Sequence, residues 1–317
     1  MQEPPADLDL VLLHDVLHER WRFSLRTLEH RPVGFGSHHW LAVEHSGRAL
    51  FLTVDDLDAK PMLGRGRDEA FAGLRRALRV AVDLRHGGLR AVVAPVPTGD
   101  GEPLARLEDR FALTVHDVVE GRPGRWGDER TPVERQALVD VLADLHRARP
   151  ATLPTTAAPV PGGDALDLAL ADLDRPWTGG PWSEPAREWA RAHEHALRAT
   201  LDRVREAAAG DAGRLVVTHG EPHPGNVITT DAGPVLVDWD TVALAAPERD
   251  LWWFADDDIA HYERRSGVAV DRAALARFAS VWDLADVASF VDGFRHPHHD
   301  TADTRQAWRG LEATPLG

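Results

Sequence analysis

THGEPHPGN, residues 218–226, packs two histidines, a glutamate and an asparagine into one short stretch. Apolar runs flank it, Leu215 to Val217 before and Val227 to Thr229 after, so it reads as a loop between two strands. Pro222, Pro224 and Gly225 stiffen and turn it. Further on, VLVDWD (235–240) ends another apolar run in Asp238. TTDAGP (229–234) is a turn that folds the two runs into a hairpin and returns Asp238 towards Asn226. A carboxylate and an amide oxygen on neighbouring loop ends make a hard-oxygen site of the kind Mg²⁺ takes. Glu221 is placed where it can orient an attacking hydroxyl. A carboxylate followed by two metal ligands, in that order, is the arrangement of phosphoryl-transferring kinases. His219 and His223 admit a competing reading as zinc ligands with Glu221 as base. That reading leaves Asn226 and the strand ending in Asp238 without a role. An HxxxH pair in a proline-bearing loop also lacks the helical geometry of such zinc sites.

The rest of the chain sets the frame. Its 317 residues, 43% hydrophobic and 27% charged, describe a globular protein of one to two domains. The absence of cysteine excludes disulfides and thiolate chemistry. A net charge of −15 repels nucleic acid and anionic membrane and favours cationic ligands. No signal-like or membrane-length apolar run is present, so a cytoplasmic protein with no membrane partner is expected. Of 36 basic residues only Lys60 is a lysine.

Apolar spacing predicts helices over 8–21 and 68–85, the latter with Phe71, Leu74, Leu78, Ala81 and Val82 on one face. A β-hairpin is predicted within 31–54, turning at Ser46-Gly47, with further strands over 90–95 and 111–119. Residues 120–127 read as a loop-rich boundary. Thr131, Pro132 and Glu134 predict a capped helix burying Leu138, Val141, Leu142 and Leu145. Helices are predicted over 184–208 and 271–291, with strands over 214–218, 226–230 and 234–238 between them. Asp256 to Asp258 read as a solvated helix end, Trp252 and Trp253 as core, and His296 to Asp300 as a solvated or packing loop.

HGEPHPGN followed by VLVDWD resembles the catalytic segment of the aminoglycoside phosphotransferase and choline kinase superfamily, whose fold is similar to that of protein kinases. GFGSHHW (34–40) and FLTVDDL (51–57) are most similar to its spectinomycin-phosphotransferase-like members. The resemblance implies an α+β, two-lobe fold: a β-rich first lobe over 1–117 and a mostly helical second lobe over 118–317. It implies an ATP- and Mg²⁺-dependent transfer of phosphate to the hydroxyl of a small, cationic, aminoglycoside-like acceptor. Glu221 then takes the catalytic-base position, with His219 bracing the loop. Asn226 and Asp238 take the metal positions, and Asp240 and Asp250 substrate or bracing positions. Gly34 and Gly36 would cover the phosphates, and Val118 and Val119 in the linker would meet adenine. Loops within 150–183 would shape the acceptor pocket.

Two positions depart from the family pattern. Glu221 stands where the family has Asp, and Thr53 where it has the ATP-binding lysine. The expected remedy is Lys60, swinging in from the next loop with Glu69 as its partner. Without that remedy the chain reads as a catalytically silent module that binds nucleotide or a small ligand.

Overall fold

The computed structural model describes residues 1–5, 7–209 and 213–315. In chain order the elements are α1 (Leu10–Trp21), β1 (Leu25–Arg31), β2 (His38–Glu44), β3 (Ala49–Asp56), α2 (Gly66–His86), β4 (Ala105–Leu107), β5 (Phe111–Asp117), β6 (Arg122–Pro123), α3 (Pro132–Leu145), α4 (Gly163–Ala171), α5 (Ser183–Ala209), β7 (Val216–Thr218), β8 (Val227–Thr230), β9 (Gly233–Leu236), β10 (Ala243–Ala245), α6 (Glu248–Leu251), α7 (Asp256–Ser266), α8 (Arg272–Arg295) and α9 (Ala302–Ala313). They divide into two compact units. One comprises 1–156 and 214–270, the other 157–213 and 271–317.

In the first unit an antiparallel sheet runs β1-β2-β3-β5-β4. Alternation sorts its two faces. Trp40, Ala42, Leu50, Leu52 and Val54 turn to a core closed by Leu13, Leu17 and Trp21 of α1. Asp9 caps α1 by accepting from Val11 N and Leu12 N. The opposite face carries His39, Phe51, Thr53 and Asp55, with His39 paired across to Thr53. There α2 buries Ala70, Leu74 and Leu78 against Leu57, Leu104 and Ala112. Two short 3-10 turns, Leu57–Ala59 and Pro61–Leu63, link β3 to α2 and hold Lys60 between them. The second turn lies hard against α2, because a Cβ on Gly73 would collide with the Leu63 carbonyl oxygen.

The same unit contains the β island. β7 pairs with β10, and β8 lies between β6 and β9. α3 begins with the predicted capping box, in which Thr131 and Glu134 satisfy each other's backbone N–H groups. In the second unit α4, α5, α8 and α9 share a core that includes Leu166, Leu170, Leu197, Leu201, Val287 and Phe294.

Several expectations need correction. Residues 90–95 form no strand; Val92 makes only an isolated parallel bridge to Leu236, with backbone bonds on either side of it. β1, β4, β10, α4 and α9 were not expected. In α3 it is Val139 that is fully buried, while Val141 is half-buried. Asp258 is not solvated; it is 1% exposed and paired with Arg135 Nε at 2.6 Å. Trp252 and Trp253 are half-buried and stacked on each other just after α6. His298 packs, in line with one of the two readings of its loop, and accepts from Trp182 N at 3.1 Å. Among the described residues no helix is long and apolar enough to cross a membrane.

Candidate active site

The loop between β7 and β8 is held from beneath by Asp250. This carboxylate, 0% exposed, accepts from His219 N at 2.8 Å, from Gly220 N at 2.6 Å and from His146 Nε2 at 3.1 Å. His146 Nδ1 is in turn 2.8 Å from the Tyr262 hydroxyl. Burial would raise the Asp250 pKa, but His146 and Arg249 hold it below the usual carboxylate range. Arg249 donates to Thr218 Oγ1 at 2.8 Å and to Thr241 O at 2.9 Å. Its guanidinium lies so close to Gly220, whose φ is +99°, that only glycine fits there.

His219 has both ring nitrogens engaged. Nδ1 accepts from Glu221 N at 3.2 Å, which makes Nε2 the donor to Val237 O at 2.9 Å. Burial lowers its pKa, in keeping with that neutral tautomer. It has no lone pair left for a zinc ion. His223 likewise accepts from Gly225 N through Nδ1 at 3.1 Å. Its Nε2 stands 3.9 Å from Glu221 Oε2, and burial lowers its pKa to about 4. Trp126 and Trp253 pack edge-on to the His223 ring, with centroids 4.8 and 6.0 Å away.

Asn226 and Asp238 lie at the open end of the β8–β9 hairpin. Asn226 O accepts from Val237 N at 3.0 Å, one residue short of Asp238. Asn226 Nδ2 donates to Glu221 O at 3.1 Å, which reserves Oδ1 as the acceptor of that amide. Asp238 adopts a left-handed backbone, φ +63°, and reaches solvent. The protein packed around it, together with Asp240, Glu221 and Asp55, pushes its carboxyl well above the usual range, against the pull of Lys60. Asp238 and Asp240 share a hydrogen bond. Burial would raise Asp240 too, but Lys60 holds it below the usual range.

Lys60 joins the sheet to this hairpin. Its ammonium is 2.7 Å from Asp240 Oδ2, 3.0 Å from Asp55 Oδ1 and 3.2 Å from Ser37 Oγ. Burial would lower its pKa, but Asp240, Asp55 and Asp238 raise it well above the ordinary lysine value. The expected pairing with Glu69 is not formed. The Glu69 carboxylate accepts from Arg65 N at 2.9 Å, because α2 begins there with no side-chain cap of its own. Thr53 is 3.3 Å from His39 Nδ1, and His39 stacks on Phe51. Gly34 and Gly36 have φ of +70° and +84° and lead into Ser37. Val118 and Val119 follow β5 directly, with Val118 42% exposed. Sequence reading missed Asp55, Ser37 and Trp126. The signal for Asp55 was its alternation with Thr53, which places both on one strand face.

Among the described residues no three His, Cys, Asp or Glu side chains cluster to hold a metal ion. The donors that are present at the open end of the hairpin, the contacting carboxyls of Asp238 and Asp240 and the side-chain oxygen of Asn226, are hard oxygens. They fit a Mg²⁺-like ion that keeps water and phosphate as its other ligands.

Known proteins share this architecture. The spectinomycin phosphotransferase APH(9)-Ia, in complex with ADP and spectinomycin, superposes with a TM-score of 0.72 at 16% identity, covering 98% of this chain and 96% of that one. Choline kinase LicA from Streptococcus pneumoniae gives 0.59 at 14% identity, covering 96% and 98%. Amicoumacin kinase hAmiN, in complex with AMP-PNP, Ca²⁺ and amicoumacin, gives 0.61 at 11% identity, covering 98% and 95%. In sequence, Protein StrN of Streptomyces griseus is 29% identical over 266 residues, 78% of this chain and 77% of that protein. The phosphotransferase enzyme family matches residues 38–290. That match begins with β2 and ends within α8, taking in four of the five strands of the sheet, the braced loop and the hairpin, and the chain belongs to the phosphotransferase enzyme family.

Proposed function

We propose that the chain transfers the γ-phosphate of ATP to a hydroxyl of a small cationic molecule, of the aminoglycoside or aminocyclitol kind. The observation that carries this reading is the 2.7 Å contact between Lys60 and Asp240, which brings the one lysine of the chain to the hairpin bearing Asn226 and Asp238. It supplies the cation that Thr53 cannot. The family membership and the ADP, AMP-PNP and Ca²⁺ bound by related structures support nucleotide and divalent-cation use.

In this reading Asn226 Oδ1 and Asp238 would hold Mg²⁺, and Lys60 binds the nucleotide phosphates. When bound, Mg²⁺ neutralises charge that develops on the transferred phosphoryl group. Glu221 orients the acceptor hydroxyl and takes its proton. Its carboxylate, 31% exposed, is open to an acceptor, and neutral His223 beside it adds no competing charge. Asp250 and His219 keep the loop in register with the hairpin, which matters because displacement of about 1 Å is costly in catalysis.

Thermal melting with ATP, with and without Mg²⁺, followed by phosphate transfer to a panel of amino-sugar and aminocyclitol alcohols, tests this. The expected result is a metal-dependent rise in melting temperature and turnover that falls by about a hundredfold or more in Asp238→Ala and Glu221→Ala. Full turnover in Asp238→Ala defeats the metal assignment. Nucleotide binding with no transfer to any acceptor favours the silent module.

A further inference from the structure

We infer that Asp55, on the sheet itself, rather than any carboxylate of α2, is the residue that positions Lys60 for the nucleotide phosphates. This rests on the phosphotransferase reading above. In protein kinases a lysine on the third strand is paired with a glutamate of the following helix. Here the lysine has left the strand and the acid has joined it. Asp55 follows Thr53 by two residues, so it faces the same side of the sheet.

An ammonium has three N–H donors. The Lys60 ammonium ion-pairs with Asp55 at 3.0 Å and donates to Ser37 Oγ and to Asp240 Oδ2. The first two acceptors are themselves joined, since Ser37 Oγ donates to Asp55 Oδ1 at 2.6 Å. Ser37 and Asp55 are 7% and 4% exposed, and they make a fixed seat. Ser37 directly follows Gly36, so this seat also ties the glycine-bearing loop to β3. The Asp240 side chain, 15% exposed and two residues from Asp238, is the contact that yields when phosphate arrives. Glu69 takes no part; it is exposed and caps the start of α2. The side chains that hold the Lys60 ammonium therefore come from the sheet, the loop before β2 and the hairpin, and none comes from α2.

Calorimetric titration of the folded protein with adenosine and with a non-hydrolysable ATP analogue, both with Mg²⁺, tests the assignment. Asp55→Asn is expected to weaken the triphosphate analogue roughly ten- to a hundredfold and to leave adenosine binding within about twofold, because adenosine carries no phosphate for Lys60 to meet. Ser37→Ala is expected to show the same selective loss, reduced to several-fold, and supplies the test if Asp55→Asn does not fold. Glu69→Gln is expected to weaken the analogue far less than Asp55→Asn. Analogue affinity unchanged in Asp55→Asn and Ser37→Ala, equal losses for adenosine and the analogue, or a Glu69→Gln loss as large as that of Asp55→Asn would each overturn the inference while nucleotide binding by the wild type stands. A wild type that binds neither ligand overturns the functional reading, and this inference with it.

Discussion

Asp250 satisfies two consecutive backbone N–H groups and one imidazole, all in a place water does not reach. An amide of the same shape would offer N–H to at least one of these donors. Asp250→Asn is therefore expected to cost about 2 kcal/mol or more of stability, measurable by urea denaturation, and to lower turnover as the loop shifts. A variant as stable as the wild type would mean that the bracing is dispensable. The spacing of Glu221, Asn226 and Asp238 marks out this loop and hairpin in the sequence itself, because short-range turn chemistry fixes their neighbourhood, whereas Asp250 was suggested only by the family resemblance. The partner of Lys60 was not legible in the same way. Glu69 looked suitable by its place at a helix start, yet that same place gives it an unsatisfied backbone N–H to cap. Asp55 was hidden in an acidic pair at a strand end, where which carboxylate turns inward depends on register.

Elements with a strong apolar period were readable; short or unbalanced ones were not. Alternation in HHWLAVE and ALFLTVDD gave the hairpin of β2 and β3, because one face of each strand is core. β1 escaped because LRTLEHR shows only Leu25 fully buried and lies at the sheet edge. β10 is ALA, too short to carry a pattern, and is a strand only because β7 offers it a partner. α4 lay within a Pro- and Gly-rich stretch, and its Leu166 and Leu170 gain meaning only in the shared core of α4, α5, α8 and α9. α8 presents an energetic oddity of its own. Burial, reinforced by Asp283, pushes the Asp286 carboxyl up to about 7. A pKa raised on folding contributes stability that is fully present below the unfolded value, about 3.9, and is lost as pH rises through 7. Asp286→Asn is thus expected to raise the melting temperature markedly more at pH 8 than at pH 5. Equal effects at the two pH values would show that Asp286 ionises normally.

The chain as a whole is strongly acidic, with a net charge of −15. Such a field draws cations towards the protein and is screened within about 10 Å at 0.1 M salt. If the acceptor is cationic, its KM should rise several-fold between low salt and about 0.5 M, while that of a neutral alcohol should barely move. Steady-state kinetics across an ionic-strength series reads this directly, and matched slopes for both acceptors would remove charge from the account of specificity. The cationic side chains of this surface are guanidinium groups, since the single lysine is only 6% exposed. Acylating reagents that attack side-chain amines therefore meet one target in the whole polypeptide, and that target is shielded until its carboxylates let go. Labelling at position 60 becomes a one-site clock for the opening of the protein around it, read by mass spectrometry with no engineered probe.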